Sequence, residues 1–82
     1  MTAYVANQDS GTVTPIRTAA NTALPAITVG IWPFAIAVTP DGRAAYVASD
    51  LSGTVTPIRT ATNTALKPIK VGRWPDAIAI TP

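Results

Sequence analysis

The chain has 82 residues, of which 48% are hydrophobic and only 12% charged, and its formal net charge is +2. A domain of this length buries only about 60% of its unfolded surface and usually needs disulfides, metals or partner chains for support. The sequence contains neither Cys nor His, which excludes disulfides, the commonest zinc ligands and any Ser-His-Asp or Cys-His catalytic set. Of the usual supports for a small domain, oligomerisation remains.

Short runs of strand-forming residues alternate with turn residues along the whole chain. Thr, Val, Ile and alternating Ala fill the runs, whereas Gly, Pro, Asn and Asp separate them. The predicted strands, in chain order, are residues 3–7, 12–17, 23–29, 34–39, 45–49, 54–59, 65–71 and 76–81. No apolar stripe recurs at the 3.6-residue period of a helix. The chain is therefore predicted to be all-β.

The eight runs are two copies of one unit. Aligning residues 1–40 with residues 43–82 gives 28 identical positions out of 40 at a constant offset of 42. A period of about 42 residues with four short strands is the blade length of a β-propeller. We therefore predict two blades of four antiparallel strands per chain. Tyr4 and Tyr46 occupy equivalent strand positions and are expected to pack with their hydroxyl groups hydrogen-bonded.

The last run is apolar on both faces. Ala77 and Ala79 alternate with Ile78 and Ile80. A strand of this kind is buried on both sides. In a propeller, this describes the innermost strand, which packs between neighbouring blades.

The repeat resembles that of the YVTN-repeat β-propellers. The residues that carry the resemblance are Tyr4-Val5-Ala6-Asn7, Gly53-Thr54-Val55, Thr60-Ala61-Thr62-Asn63-Thr64, Val71-Gly72 and Ala37-Val38-Thr39-Pro40-Asp41-Gly42. The resemblance spans the whole chain and implies a propeller fold and an exported or surface-layer-like parent protein. It implies no catalytic residues, because the family shares no such set.

Two positions of each repeat depart from the family pattern. Arg17 and Arg59 stand where the family often has Asp, and Pro15 and Pro57 stand where it has Val. Proline lacks the backbone N–H donor. We therefore expect the pairing of this strand with one of its two neighbours to be broken or bulged.

The strand order predicts that the chain is cut within a blade. By the family's order a blade begins with its innermost strand, but residues 1–33 supply only the second to fourth strands of a blade. Residues 34–75 make one complete blade, and residues 76–82 supply an inner strand for a neighbouring chain. The assembly strand is expected to comprise Ala77, Ile78, Ala79 and Ile80, and the receiving strand Ala3, Tyr4, Val5 and Ala6. Strand addition of this kind joins chains head to tail and closes a homo-oligomeric ring.

Units of two blades close only rings with an even number of blades. Propellers have about 4–8 blades, and the resemblance implies that seven is common, which corresponds to about 51° per blade. Eight blades require about 45° and six about 60° per blade. The smaller distortion favours a tetramer with eight blades over a trimer with six, although assembly entropy favours the smaller ring.

A ligand-binding module is the alternative function. It would hold a peptide, glycan or surface-layer ligand at the mouth of the central channel. The expected contacts there are Trp32, Phe34, Arg73, Trp74 and Asp76. The two tryptophans are better interpreted as packing residues at the junctions between blades.

Other function classes find no support in the sequence. Most of the carboxylates fall in turns, and they show no recognisable metal spacing, so no metal, no cofactor and no enzyme activity are expected. The six basic residues are scattered over the repeats and form no stripe for nucleic acid. No apolar run reaches the length of a membrane span, and no secretory signal follows Met1. Membrane insertion is therefore not expected, and the compartment stays open.

Overall fold

A computed structural model describes residues 1–75 and 77–81 of the chain, and its secondary structure is all-β. The strands, in chain order, are β1 (Thr2–Asn7), β2 (Thr12–Arg17), β3 (Thr22–Ala23), β4 (Ile27–Thr28), β5 (Pro33–Val38), β6 (Ala44–Ser49), β7 (Thr54–Arg59), β8 (Thr64–Ala65) and β9 (Ile69–Lys70). Within the described ranges, no helix is long and apolar enough to cross a membrane.

The strands form two antiparallel sheets that correspond to the two repeats. In the first sheet β1 pairs with β2, and both β3 and β4 pair with the far edge of β2. In the second sheet β5 pairs with β6, β6 with β7, and both β8 and β9 with the far edge of β7. The second sheet therefore has an inner strand, β5, whose counterpart in the first sheet is not among the described residues.

The outermost strand of each sheet is interrupted at a proline on its neighbour. Pairing of β1 with β2 runs through Tyr4 and Pro15 without a break, so the interruption faces the other side. There the Leu24 N–H donates to the Pro15 carbonyl at 2.8 Å, and Leu66 does the same to Pro57. The N–H and C=O of a strand residue face the same neighbouring strand. The N–H that proline lacks would therefore have donated to the outer strand.

This arrangement confirms the expected break in pairing and corrects two predicted strands. The runs 23–29 and 65–71 are each two short strands of two residues rather than one continuous strand. Prolines on both sides are the physical reason, because Pro15 and Pro57 remove a donor from the neighbouring strand, and Pro25 and Pro68 remove one within the gaps themselves.

The core lies between the two sheets. Its buried members are Val13 and Ile27 from the first sheet and Ala45, Val47 and Ile58 from the second. The two sheets therefore pack face to face, and each supplies the apolar surface that covers the other.

A tight turn joins β5 to β6. Gly42 adopts a positive φ of 72° and donates its N–H to the Thr39 carbonyl. Asp41 accepts hydrogen bonds from Thr39 Oγ1 at 2.6 Å and from the Arg43 N–H at 3.0 Å. The bond from Thr39 is the main reason that the pKa of the Asp41 carboxyl lies below its usual range. This carboxylate therefore has a local structural role in the turn.

The predicted strand over residues 76–81 is not formed in the single chain. Asp76 lies outside the described residues, and residues 77–81 belong to neither sheet. A strand needs a hydrogen-bonded neighbour, and the described residues offer it none. Ile78 and Ile80 are nevertheless half-buried, while Ala77 and Ala79 are exposed, so the single chain covers one face of this run in part and leaves the other open, and the expected burial of both faces is not present in it.

Candidate assembly interface

A linker joins the two sheets and is held by the turn that follows β6. The Ile31 N–H donates to Ser52 Oγ at 2.7 Å. The Asp50 N–H donates to the Trp32 carbonyl at 3.0 Å, and the Leu51 N–H donates to the Ile31 carbonyl at 3.2 Å. We call this set the linker–turn contact. Two of its three bonds are between backbone groups, so they do not depend on the identity of the side chains.

Gly30 is required where the linker approaches the second sheet. A Cβ atom added to Gly30 would lie 2.7 Å from both Cβ and Oγ of Ser49 and 3.0 Å from Ser52 Oγ. Gly72, its counterpart in the second repeat, has no described atom within 4 Å of the same position. The two glycines occupy equivalent places in the repeat, but among the described residues only Gly30 closely approaches a following sheet.

A side-chain hydrogen bond also crosses between the sheets. Tyr4 Oη on β1 donates to Asn63 Oδ1, in the turn before β8, at 2.8 Å. Asn63 adopts a positive φ of 52°, a conformation that asparagine tolerates. Burial raises the pKa of the Tyr4 phenol, which favours the neutral form that donates this bond. The expected hydrogen-bonded hydroxyl is confirmed for Tyr4.

The assembly strand predicted from the sequence lies against the second sheet. Residues 78–81 line a depression together with Thr39 and Tyr46. One repeat earlier, Val38 of β5 lines a depression together with Tyr4 of β1. Residues 78–81 therefore lie near Tyr46, as Val38 of β5 lies near Tyr4.

The receiving strand has one open edge. Ala3, Tyr4, Val5 and Ala6 all lie in β1, whose pairing with β2 is continuous over six residues. In the described part of the chain no strand pairs with the other edge of β1. An unpaired row of backbone N–H and C=O groups is a template for pairing with another strand.

The residues predicted for a ligand at the channel rim do not share one site. Arg73 and Trp74 line a depression with residues 50–53, whereas Phe34 lines another with residues 6–10. Phe34 also sits at a register shift between β5 and β6. Asp76 lies outside the described residues. Within the single chain these described residues line separate depressions, and a ligand at the channel mouth of a ring stays a prediction.

Trp32 and Trp74 share an uncommon backbone conformation that the sequence did not reveal. Their φ angles are +63° and +56°, in the left-handed region that bulky residues rarely adopt. The same conformation in both copies makes it a property of the repeat. The carbonyl of Trp32 is an acceptor in the linker–turn contact, so the conformation serves the junction between sheets.

Three buried hydroxyl groups mark a difference between the two sheets that sequence reasoning missed. In the first sheet Asn7 Nδ2 donates to Thr12 Oγ1 at 3.2 Å and to Thr14 Oγ1 at 2.8 Å. In the second sheet the equivalent residues are Ser49, Thr54 and Thr56. The hydroxyl groups of all three are buried without a hydrogen-bond partner among the described residues. The shorter serine does not supply the amide that satisfies both threonines.

This difference predicts opposite effects for one substitution made in each sheet. Thr56 is only 2% exposed, and Thr56→Val removes an unsatisfied buried hydroxyl, so it should raise the free energy of unfolding by about 1 kcal/mol. Thr14→Val removes the acceptor of a 2.8 Å bond and should lower it by about 1 kcal/mol. Urea unfolding at one fixed chain concentration measures both. Equal destabilisation by the two variants would contradict this account.

The chain is similar over almost its whole length to a solved structure. Kuenenia stuttgartiensis hydrazine synthase superimposes with a TM-score of 0.94 at 34% sequence identity, over 99% of this chain and 23% of that chain. The chain thus spans about a quarter of the protein chain that it matches. Neither a family model nor a curated protein matches the sequence, so the resemblance to YVTN repeats stays a prediction. The likeness and the two antiparallel sheets together support an all-β fold of the propeller-blade kind.

Proposed function

We propose that the 82-residue chain is a non-catalytic structural unit that assembles head to tail with copies of itself into a closed β-propeller. The observation that carries the proposal is a pair of complementary open ends. At one end β1 has an unpaired edge. At the other, residues 77–81 belong to no strand, although Ile78 and Ile80 are half-buried. We further propose that the blades are of the YVTN-repeat type.

The register of the strand addition follows from the pairing of β5 with β6. There Val38 faces Ala45 and Ile36 faces Val47. Shifting each residue by one repeat places Ile80 opposite Ala3 of the next chain and Ile78 opposite its Val5. The added strand gives β1 the main-chain hydrogen bonds that its open edge lacks.

The linker–turn contact supplies a second connection between the same two chains. Its counterpart brings Gly72, Arg73 and Trp74 of one chain onto residues 7–10 of the next. The Tyr4–Asn63 bond likewise recurs between Tyr46 and Asn21 of the next chain. Gly72, Ser10, Tyr46 and Asn21 are identical to their counterparts in the first junction, Gly30, Ser52, Tyr4 and Asn63.

The contact is head to tail, so it yields a closed ring when the rotation per chain divides a full turn. We propose four chains and eight blades, because about 45° per blade is closest to the spacing of a seven-bladed ring. Three chains and six blades form the alternative ring.

Engineered disulfides test the proposed register directly, because the natural sequence contains no cysteine. In the variant Ala3→Cys with Ile80→Cys, the two thiols lie in different chains but directly opposite each other. Cα atoms of facing residues in antiparallel strands are about 4.5–5.5 Å apart, which a disulfide spans. The matched control, Ala45→Cys with Val38→Cys, places the same pair within one chain.

Oxidation of the first variant should give covalent multimers on a denaturing, non-reducing gel, ending at four times the 8.4 kDa chain mass. The control should run as a monomer with an internal disulfide. A first variant that stays monomeric after oxidation, while the control closes its disulfide, would overturn the proposal.

A further inference from the structure

We infer that Arg73 of one chain and Asp9 of the next form an ion pair where two chains meet. The pair takes the positions that the apolar residues Ile31 and Leu51 occupy where the two sheets of one chain meet. The inference rests on the proposed ring and names the residues that distinguish its two kinds of junction.

The template for this pair is the backbone hydrogen bond that joins Leu51 to Ile31. The two residues lie in adjacent segments of the linker–turn contact, where the Leu51 N–H donates to the Ile31 carbonyl at 3.2 Å. Both side chains are apolar, with 62% and 52% of their surface exposed. They therefore lie at the rim of the junction, where a side chain can be polar or apolar without burying a charge.

One repeat later, both members of the pair change together. Ile31 corresponds to Arg73, and Leu51 corresponds to Asp9 of the next chain. The apolar pair thus becomes a basic and an acidic residue at the same two places. Arg73 and Asp9 are both exposed in the single chain, so their charges are available to a partner.

The three remaining residues of the contact do not oppose the pair. Trp32 corresponds to Trp74, Asp50 corresponds to Gln8 of the next chain, which is neutral, and Ser52 corresponds to Ser10, which keeps its hydroxyl. Asp50 of the same chain and Lys70 line the depression beside Arg73, and Asp50 Oδ1 is buried without a hydrogen-bond partner among the described residues. Asp9 of a second copy is the acidic residue that the repeat places opposite Arg73.

The ion pair gives the contact between chains a preferred direction, which the contact within the chain does not need. Arg73 of one chain meets Asp9 of another when residues 72–74 of the first chain lie on the turn after β1 in the second. Two copies of residues 72–74 brought together would place like charges side by side, which is unfavourable. The pair thus selects head-to-tail contact over head-to-head contact.

Charge reversal tests the pair. Asp9→Arg and Arg73→Asp each place like charges at every junction, and an exposed pair of this kind changes the binding constant of a junction by about fivefold. Each single variant should therefore assemble only at higher chain concentration than the natural protein, as followed by light scattering.

The double variant Asp9→Arg with Arg73→Asp restores opposite charges and should assemble as the natural protein does. Arg17→Asp, which changes the net charge as Arg73→Asp does but lies at the end of β2, is the control and should not alter assembly.

Mixing the two single variants provides a further test without any new substitution. In an alternating ring, Arg73 of the Asp9→Arg chain meets Asp9 of the Arg73→Asp chain, and the introduced Asp and Arg meet at the next junction. An equimolar mixture should therefore assemble at lower concentration than either variant alone. A ring of four chains permits complete alternation, whereas a ring of three does not.

The outcomes separate the ion pair from the ring. Weakened single variants with a restored double variant support the pair, and restoration by mixing adds support for four chains. Single variants that assemble like the natural protein would overturn the ion pair and leave the proposed ring intact. A natural protein that remains monomeric would overturn the ring itself.

Discussion

The substitution Gly72→Ala is expected to abolish assembly while leaving the two sheets of the single chain intact. Within the chain, an added Cβ at Gly72 meets no described atom within 4 Å. In the proposed ring, the same atom would lie against Asn7 of the next chain, as the Cβ added at Gly30 would lie 2.7 Å from Ser49. Asparagine is larger than serine, so this approach leaves less room than the one within the chain.

Gly30→Ala is the matched variant, because it places the same methyl group at the junction within the chain. Overpacking at such a contact costs about 1–3 kcal/mol, a large part of the stability of so small a domain. Gly30→Ala should therefore lower the free energy of unfolding, whereas Gly72→Ala should act on assembly. Circular dichroism and light scattering on the same samples distinguish the two effects. Assembly of Gly72→Ala at the natural concentration would contradict the proposed junction.

Ile78→Asp is expected to have a comparably large effect on assembly. The proposed strand is covered on both faces once it is added to the next chain, and burying an unpaired carboxylate there costs several kcal/mol. No assembled species should form at concentrations where the natural chain is fully assembled. In the single chain Ile78 is only half-buried, so the antiparallel signal of the two sheets should persist.

Ile36→Asp is the control for this substitution, since Ile36 is the equivalent residue of β5 and packs against the buried core. It should unfold the chain rather than merely separate the chains. An Ile78→Asp variant that still forms multimers would show that residues 77–81 are not the added strand.

The repeat made the fold predictable from the sequence. Because 28 of 40 positions recur at one offset, each strand was identified twice, and β2 and β7 have the predicted bounds. Pro15 and Pro57 predicted a broken ladder, because a missing N–H has a definite consequence for pairing. Which neighbour loses the pairing depends on the direction in which the proline nitrogen faces, and this appears only in the three-dimensional register.

The site was less predictable, because its contacts join residues that are distant in sequence. Nothing in the spacing of Gly30 and Ser49 indicates that they touch. The change from Asn7 to Ser49 looks conservative in sequence, yet it decides whether the neighbouring threonine hydroxyls are satisfied. Residues 77–81 have the pattern of an inner strand but form none in the single chain, since a strand depends on its neighbour as much as on its own residues.

The mass of the natural protein in solution tests the central claim most directly. Light scattering on a sizing column, repeated over a range of loading concentrations, should give one species at four times the 8.4 kDa chain mass. A species at three times that mass would correspond to the ring of six blades. A stable monomer at all concentrations would contradict assembly by strand addition and with it the proposed function.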